Sequence, residues 1–465
     1  MRKSNALGVF ASILLACFAL SSCGGGSYSA SQPSADAQTA SVFTVGTDAS
    51  LPSVVSCQVM VTGITLNNGS ANVPVLSNPQ IVDFARLSGL HQLLDLNTVP
   101  TGTYSSATVT ISSPVIGFID TTANPPVVNT INGTLTQSSV TVTFKQPFVL
   151  MTNDLAGLRM EFDLAKSLET TGGVVNGNVN PVFEMALLDA TDSSVSIDDF
   201  HAGVVGVTGN NSFVVQGPKG RQWTVQTNGN TEFDDPAIPV SSFTTNTIVE
   251  LSGQLDPVTH AIDASEVEVV SNDDFVLAGL LTSVRPPSGA ATQADLYIRA
   301  ELPDITGISD GQIETLNLNG SETYRIANIN NPITALLFSN TSLAAGQVVD
   351  IGGDVSTSNG TPSLTIHRVV LRRQGQAGAW VPGSTVVQSG NAGTFQLTDN
   401  SQAGILLPNP LTIITANSTR FINLSGLSAL TGTQQIPIRV VGFILSDLAT
   451  STPVMVARSV EELPN

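Results

Sequence analysis

The chain has 465 residues, 41% of them apolar and 11% charged, with 40 Gly and 25 Pro. That length suits several folded domains, and a mean hydropathy of +0.22 argues against wholesale disorder, which needs low hydrophobicity and high charge density. Its 36 acidic residues against 17 basic ones give a net charge of −19, a balance that argues against nucleic-acid binding and against attachment to anionic lipid through a basic patch.

The N-terminus opens with Arg2 and Lys3, followed by an apolar run from Leu7 to Leu20 that is short for a membrane-spanning helix. This layout is that of a secretory signal over residues 1–22. The run ends Leu20-Ser21-Ser22-Cys23, an aliphatic residue, two small residues and a cysteine, which resembles the lipobox of bacterial lipoproteins. The resemblance implies that Cys23 receives a diacylglycerol and becomes the new N-terminus. Two acyl chains, at about 0.8 kcal/mol per buried CH₂, hold a protein on a bilayer stably. Residue 24, following the anchor, is Gly rather than Asp, which under this resemblance implies the outer rather than the inner membrane of the cell envelope. Residues 23–40 are Gly, Ser, Ala, Gln and Pro with almost no large apolar side chain and read as a lipid-anchored flexible tether. Of the three cysteines, Cys17 lies in the signal and Cys57 in the strand-like run Val54–Val61, where it reads as a small buried hydrophobe; no disulfide framework follows.

Beyond the tether, short runs rich in Val, Ile, Thr and Phe alternate with Gly, Asn, Asp and Pro turns, so the fold class expected is all-β. Val59–Leu66 before Asn67-Asn68-Gly69, Ala107–Ile111 and Ser139–Phe144 read as strands. Phe84 to Leu94 and Asn153 to Leu158 are the best, though short, helical candidates. Residues 41–192 carry Gly46-Thr47-Asp48-Ala49, Val82–Gly89, Leu93-Leu94-Asp95, Pro100-x-Gly102-x-Tyr104 and Leu158–Leu168. At these places the segment resembles the bacterial domain of unknown function 4382. The resemblance implies an immunoglobulin-like or transthyretin-like β-sandwich with no assigned chemistry. The stretch from Asp120 to Gly133, with Pro125-Pro126, reads as an exposed loop.

From about Gly203 three landmarks recur three times in the same order. A Thr shortly before an aromatic residue comes first: Thr231-Glu232-Phe233, Thr323-Tyr324 and Thr419-Arg420-Phe421. A strand ending in Gly follows at Gly253, Gly352-Gly353 and Gly442. A last strand closes each unit: Ala264–Val269, Thr365–Leu371 and Val456–Glu461. Residues 203–271 resemble the bacterial domain of unknown function 5666, a small β-barrel, with looser versions at 275–373 and 384–462. The expected architecture is a sandwich followed by three small barrels akin to oligonucleotide- or oligosaccharide-binding folds.

Motifs for chemistry are sparse. His91, His201, His260 and His367 stand apart with no metal-binding spacing, and each reads as a surface or turn residue. Gly307-x-Ser309-x-Gly311 lacks the strand-then-helix setting of a nucleophile elbow. Asp198-Asp199, Asp234-Asp235 and Asp273-Asp274 point to opposite faces as strand neighbours, and two of these pairs, near unit boundaries, read as solvated linkers; Asp189 and Asp192 with Asp198 and Asp199 suggest weak calcium binding at most. Trp223 and Trp380, the only tryptophans, are candidate sugar-stacking contacts, weighed against plain core packing. The sequence therefore predicts no catalytic residue, metal or cofactor. It predicts a lipid-anchored envelope protein displaying binding or spacer modules, with the membrane and an envelope polysaccharide or protein as partners and no nucleic acid. Polysaccharide binding and a hydrolase assembled only in three dimensions are the alternatives.

Overall fold

A chain whose apolar residues recur every second position buries them by building sheets, and the computed structural model is almost wholly strand. It describes residues 38–463, leaving aside 50, 52, 121–126, 172–173, 190–196, 218–221, 234–237, 246, 257–258, 260, 270–273, 304, 328–335, 337, 359–360, 400–404, 448–449 and 451. Cys23, its signal and nearly all of the tether lie outside the described residues, as do Pro125-Pro126. Among the described residues no helix is long and apolar enough to cross a membrane.

The N-terminal part is sandwich-like. In one sheet Thr39–Ala49 runs parallel to Leu155–Asp163 and antiparallel to Gln92–Pro100, with Phe183–Asp189 beyond. The other sheet is built on Val54–Asn67 paired with Gly102–Asp120, flanked by Gln80–Asp83, Val127–Asn132 and Ser139–Leu150. Val59, Ile64 and Val109 of one sheet and Val42, Leu94 and Phe162 of the other share a single core. The alternation slips between Val61 and Gly63, where a bulge restores Ile64 and Leu66 to the buried face. Tyr104 of the Pro-x-Gly-x-Tyr element is fully buried, and its hydroxyl donates to the Pro100 carbonyl at 2.8 Å. Neither helical candidate is a helix: Phe84–Leu87 is a single 3₁₀ turn leading to the Gln92–Pro100 strand, and Leu155 already belongs to a strand. Packing of Phe84 against Phe162, tilted, and Phe183, edge-to-face, favours burial over helical continuation.

The remainder forms three sheets with one strand plan. In each, a first long strand (Ile197–Gly209, Phe275–Arg285, Gln374–Trp380) pairs antiparallel with the opening strand of a hairpin. Those hairpins are Ile248–Leu255 with Ile262–Val269, Val348–Ser358 with Thr361–Leu371, and Pro437–Asp447 with Thr452–Glu462. A short strand containing the Thr-aromatic landmark then adds parallel to the hairpin's last strand. Pairing of Gln222–Gln226 with Ile262–Val269, and of Leu411–Thr415 with Thr452–Glu462, gives the first and third sheets barrel-like closure.

The landmarks have a mechanical origin. The Gly does not end its strand; it sits in a bulge inside it, at Ser252/Gly253, Gly352/Gly353 and Val441/Gly442. A Cβ there would lie 2.3, 1.9 and 2.0 Å from the carbonyl oxygens of Asp263, Thr365 and Val456, so only a bare α-carbon permits the close approach. The Thr hydroxyls anchor the short strands by donating to Ala264, His367 and Ala457 carbonyls at 2.7, 3.2 and 2.9 Å.

The sheets are not beads on a string. Only Arg372 and Arg373 separate Thr361–Leu371 from Gln374–Trp380. Phe443 and Val456 of the third sheet pack in the core of the second, while Phe43, Val45 and Leu93 of the sandwich pack with the first. Gln347 donates to the Ile444 carbonyl at 3.0 Å, and Arg299, 2% exposed at its side chain, donates through Nη2 to the Val55 carbonyl at 2.7 Å.

Candidate functional site

A cluster of buried charged residues lies where the first and second of the three C-terminal sheets meet. On the first barrel-like sheet, His201 lies opposite Glu250 in register, and Glu250 lies opposite Glu268. Like charges facing each other across a strand pair repel, the more so when buried, and Glu250 and Glu268 are 4% and 1% exposed. The second sheet supplies the counter-charge. Arg372 places Nη2 2.7 Å from Glu250 and Nη1 2.5 Å from Glu268, bridging the two acids, and its Nε donates to Asp350 at 2.9 Å. Arg368 reaches Glu268 at 2.9 Å and Arg325 at 3.5 Å, so one carboxylate gathers three guanidinium groups. His201 Nε2 stands 2.8 Å from Glu250 and 3.3 Å from Asp350.

These contacts set the protonation. Burial opposes charging of His201, but Glu250 and Asp350 outweigh it and lift the imidazole to about 10. Burial likewise pushes Glu250 up to about 8 against the pull of Arg372 and His201. For Asp350, burial is overcome by Arg372 and His201, and the carboxyl stays far below the usual carboxylate range. The group therefore retains protons that the free side chains release near or below neutrality.

His201, Glu250 and Asp350 could each offer a ligand atom within 4.8 Å of the others, which raises the question of a metal centre. The donor set does not fit one, because the Arg372 guanidinium already stands between the two carboxylates at bonding distance and supplies the cation. The space enclosed by Glu250, Asp350 and Arg372 is about 20 Å³, room for about one water, and of the four groups His201 alone also borders a larger cleft. The arrangement is a weld between two sheets.

Two clefts flank it. One, of about 620 Å³, lies among Gln58, Arg86, Phe200, His201, Arg299 and Glu301. The other, of about 760 Å³, lies between the first and third barrel-like sheets and the sandwich. Arg159, Arg373, Arg420, Arg439 and Arg458 line it, facing Asp198, Asp256, Asp263 and Glu461. Asp198 borders both clefts and ties His91 to Arg373, accepting from the His91 backbone N–H at 3.2 Å and standing 3.7 Å from Arg373.

The sequence-predicted residues are placed differently. Trp223 and Trp380 are 6% and 0% exposed, in the cores of different sheets, and Trp380 Nε1 donates to Thr385 at 3.0 Å; neither ring presents a face for a sugar. His91 and His201 are not surface or turn residues, since each meets a buried acid; His367 is the half-exposed one, 3.3 Å from Asp354, and His260 lies outside the described residues. Asp198 is buried rather than part of a solvated linker, held beside the His91 backbone N–H and Arg373. Asp274 is exposed, whereas Asp234, Asp235, Asp273 and the Asp199 side chain lie outside the described residues. Ser309 sits in a turn before the Ile313–Asn317 strand, with no helix after it. Cys57 is fully buried and free.

The weld left one legible signal. Glu266 and Glu268 share a face of their strand, while the end of the second unit carries Arg368, Arg372 and Arg373. A scan against protein-family models and a search of curated proteins each return no match to this chain.

Proposed function

We propose that the protein is a non-catalytic binding protein of the bacterial cell envelope, held by lipid on Cys23 and carried clear of the membrane by residues 24–38, the tether ending where the Thr39–Ala49 strand begins. The Leu-Ser-Ser-Cys lipobox supports the anchor, and the residues quoted above support kinship with the domains of unknown function 4382 and 5666. The observation that carries the binding role is the weld: Arg372 bridges Glu250, Glu268 and Asp350 across two sheets. A buried charged seam of this kind is weak evidence for extra stability and is best explained by the need to hold one relative orientation. A spacer needs no fixed orientation, whereas a cleft shared by three units does. On this reading the outer membrane is the expected address, and an envelope polysaccharide or protein the partner.

The test has two arms. Mass spectrometry of the native protein is expected to show a diacylglycerol thioether at an N-terminal Cys23. Crosslinking in intact cells is expected to capture a specific envelope component, and to lose it when Arg372→Met loosens the seam. An unmodified Cys23 overturns the anchor; capture indifferent to Arg372→Met overturns the oriented-binding role.

A further inference from the structure

The larger cleft is unlike the rest of the molecule in charge. The chain has about half as many basic as acidic residues, yet five of its 17 Lys and Arg residues line this one space, against four carboxylates. They come from separate parts of the chain: Arg159 from the sandwich, Arg373 from the joint between the second and third sheets, and Arg420, Arg439 and Arg458 from three strands of the third. Convergence from such distant positions is not a by-product of one charged strand. Two of these groups are under electrostatic load. Arg439, 10% exposed at its side chain, has its Nε buried without a hydrogen-bond partner and stands 3.6 Å from Glu461 through Nη1. Arg458 is held below the usual guanidinium range by burial and then by the like charge of Arg373. An anion placed among them would relieve both, and guanidinium forks pair best with planar carboxylates.

The remaining lining refines the ligand. No Phe, Tyr or Trp borders the cleft, so neutral sugar rings find no stacking platform. Asn228, Asn230, Ser265 and Ser418 offer donors and acceptors, and Asp256 and Asp263 offer acceptors for hydroxyl protons. A ligand that satisfies both sets carries carboxylates and many hydroxyls on one chain. The volume of about 760 Å³ is within the roughly 300–1,000 Å³ of ligand pockets. The strong net negative charge outside the cleft opposes a long, uniformly charged strand such as a nucleic acid. We infer that this arginine-lined cleft binds an acidic, carboxylate-bearing oligosaccharide. The inference rests on the binding-protein reading and specifies its ligand.

Calorimetric titration of the full chain with short oligogalacturonates and alginate oligomers tests it, using the methyl esters, which keep the hydroxyls and lose the charge, as controls. The free acids are expected to bind, the esters at least tenfold more weakly. Arg420→Gln, at an exposed position, and Arg458→Gln are each expected to weaken the acids about tenfold or more, the loss of one charge-assisted hydrogen bond. Thermal melting of each variant separates lost binding from lost folding, and Arg458→Lys, keeping charge without the fork, is expected to recover binding in part. Esters binding as well as acids would overturn the carboxylate assignment and leave a saccharide-binding protein. Binding to none of the probes by a chain that melts cooperatively overturns the inference outright. The lipid and crosslinking arms then still decide the broader role. Displacement of the acids by inorganic phosphate at equal concentration would mean an unspecific anion site and also overturn it.

Discussion

Glu268 and Arg372 belong to different sheets, 1% and 4% exposed at their side chains, and meet at 2.5 Å as the centre of a buried ion cluster. Removing one partner of such a cluster strands the others. Arg372→Met leaves Glu250, Glu268 and Asp350 facing one another, and the expected loss is about 3–5 kcal/mol in urea unfolding. Arg285→Met, which breaks a pair with Asp295 whose arginine is 44% exposed, is expected to cost at most about 1 kcal/mol. Equal losses in the two variants would refute the assignment of the weld.

The same cluster sets a pH dependence. The folded His201 imidazole titrates at about 10, above its free value near 6.5, and Glu250 at about 8, above its free value near 4.5. The folded state then binds more protons than the unfolded one, and stability falls as pH rises. The His201 contribution is whole below about pH 6.5 and is lost as pH climbs through about 10. Melting temperature is expected to drop steadily from pH 6 to pH 10, and His201→Gln to flatten that slope. A profile that His201→Gln leaves unchanged would assign the titration elsewhere.

The repeated bulge predicts a pattern among glycine substitutions. Gly253→Ala, Gly353→Ala and Gly442→Ala drive a methyl against a backbone carbonyl that cannot rotate away, and each is expected to cost about 1–3 kcal/mol or more. Gly203→Ala and Gly206→Ala, with nothing within 4 Å of the new methyl, are expected to stay within about 0.5 kcal/mol of wild type. Chemical denaturation of the five variants checks both halves.

Cys57 offers a reporter of global opening. It has no exposed surface, and burial followed by the nearby Asp83 charge pushes its thiol well above the usual range. Maleimide labelling at this position, mapped by peptide mass spectrometry, is expected only at the unfolding rate. Fast labelling under native conditions would show that the sandwich core opens locally.

Much of the fold could be read from the chain because its signals are local. Strand runs, the Pro100–Tyr104 corner and the three Thr and Gly landmarks each follow from contacts a few residues wide or from a backbone approach that admits one residue type. The helical reading of Phe84 to Leu94 failed because the core took Phe84 and Leu94 from opposite sides of a turn. The pairing within the weld was hidden for another reason. His201, Glu250, Asp350 and Arg372 span 172 positions of chain, and no spacing rule joins strands from different sheets. Their sites could be suspected only from acids and arginines on strand faces that ought to be apolar.

The two-residue joint between the second and third sheets has a mechanical meaning. Both of its residues are arginines, one fastened into the ion cluster and the other bordering the large cleft. With no slack in the connection, swinging the C-terminal sheet outward means breaking salt bridges at the pivot itself. Motion there is gated by charge, and because these pairs are shielded from solvent, added salt is expected to do little to free the pivot.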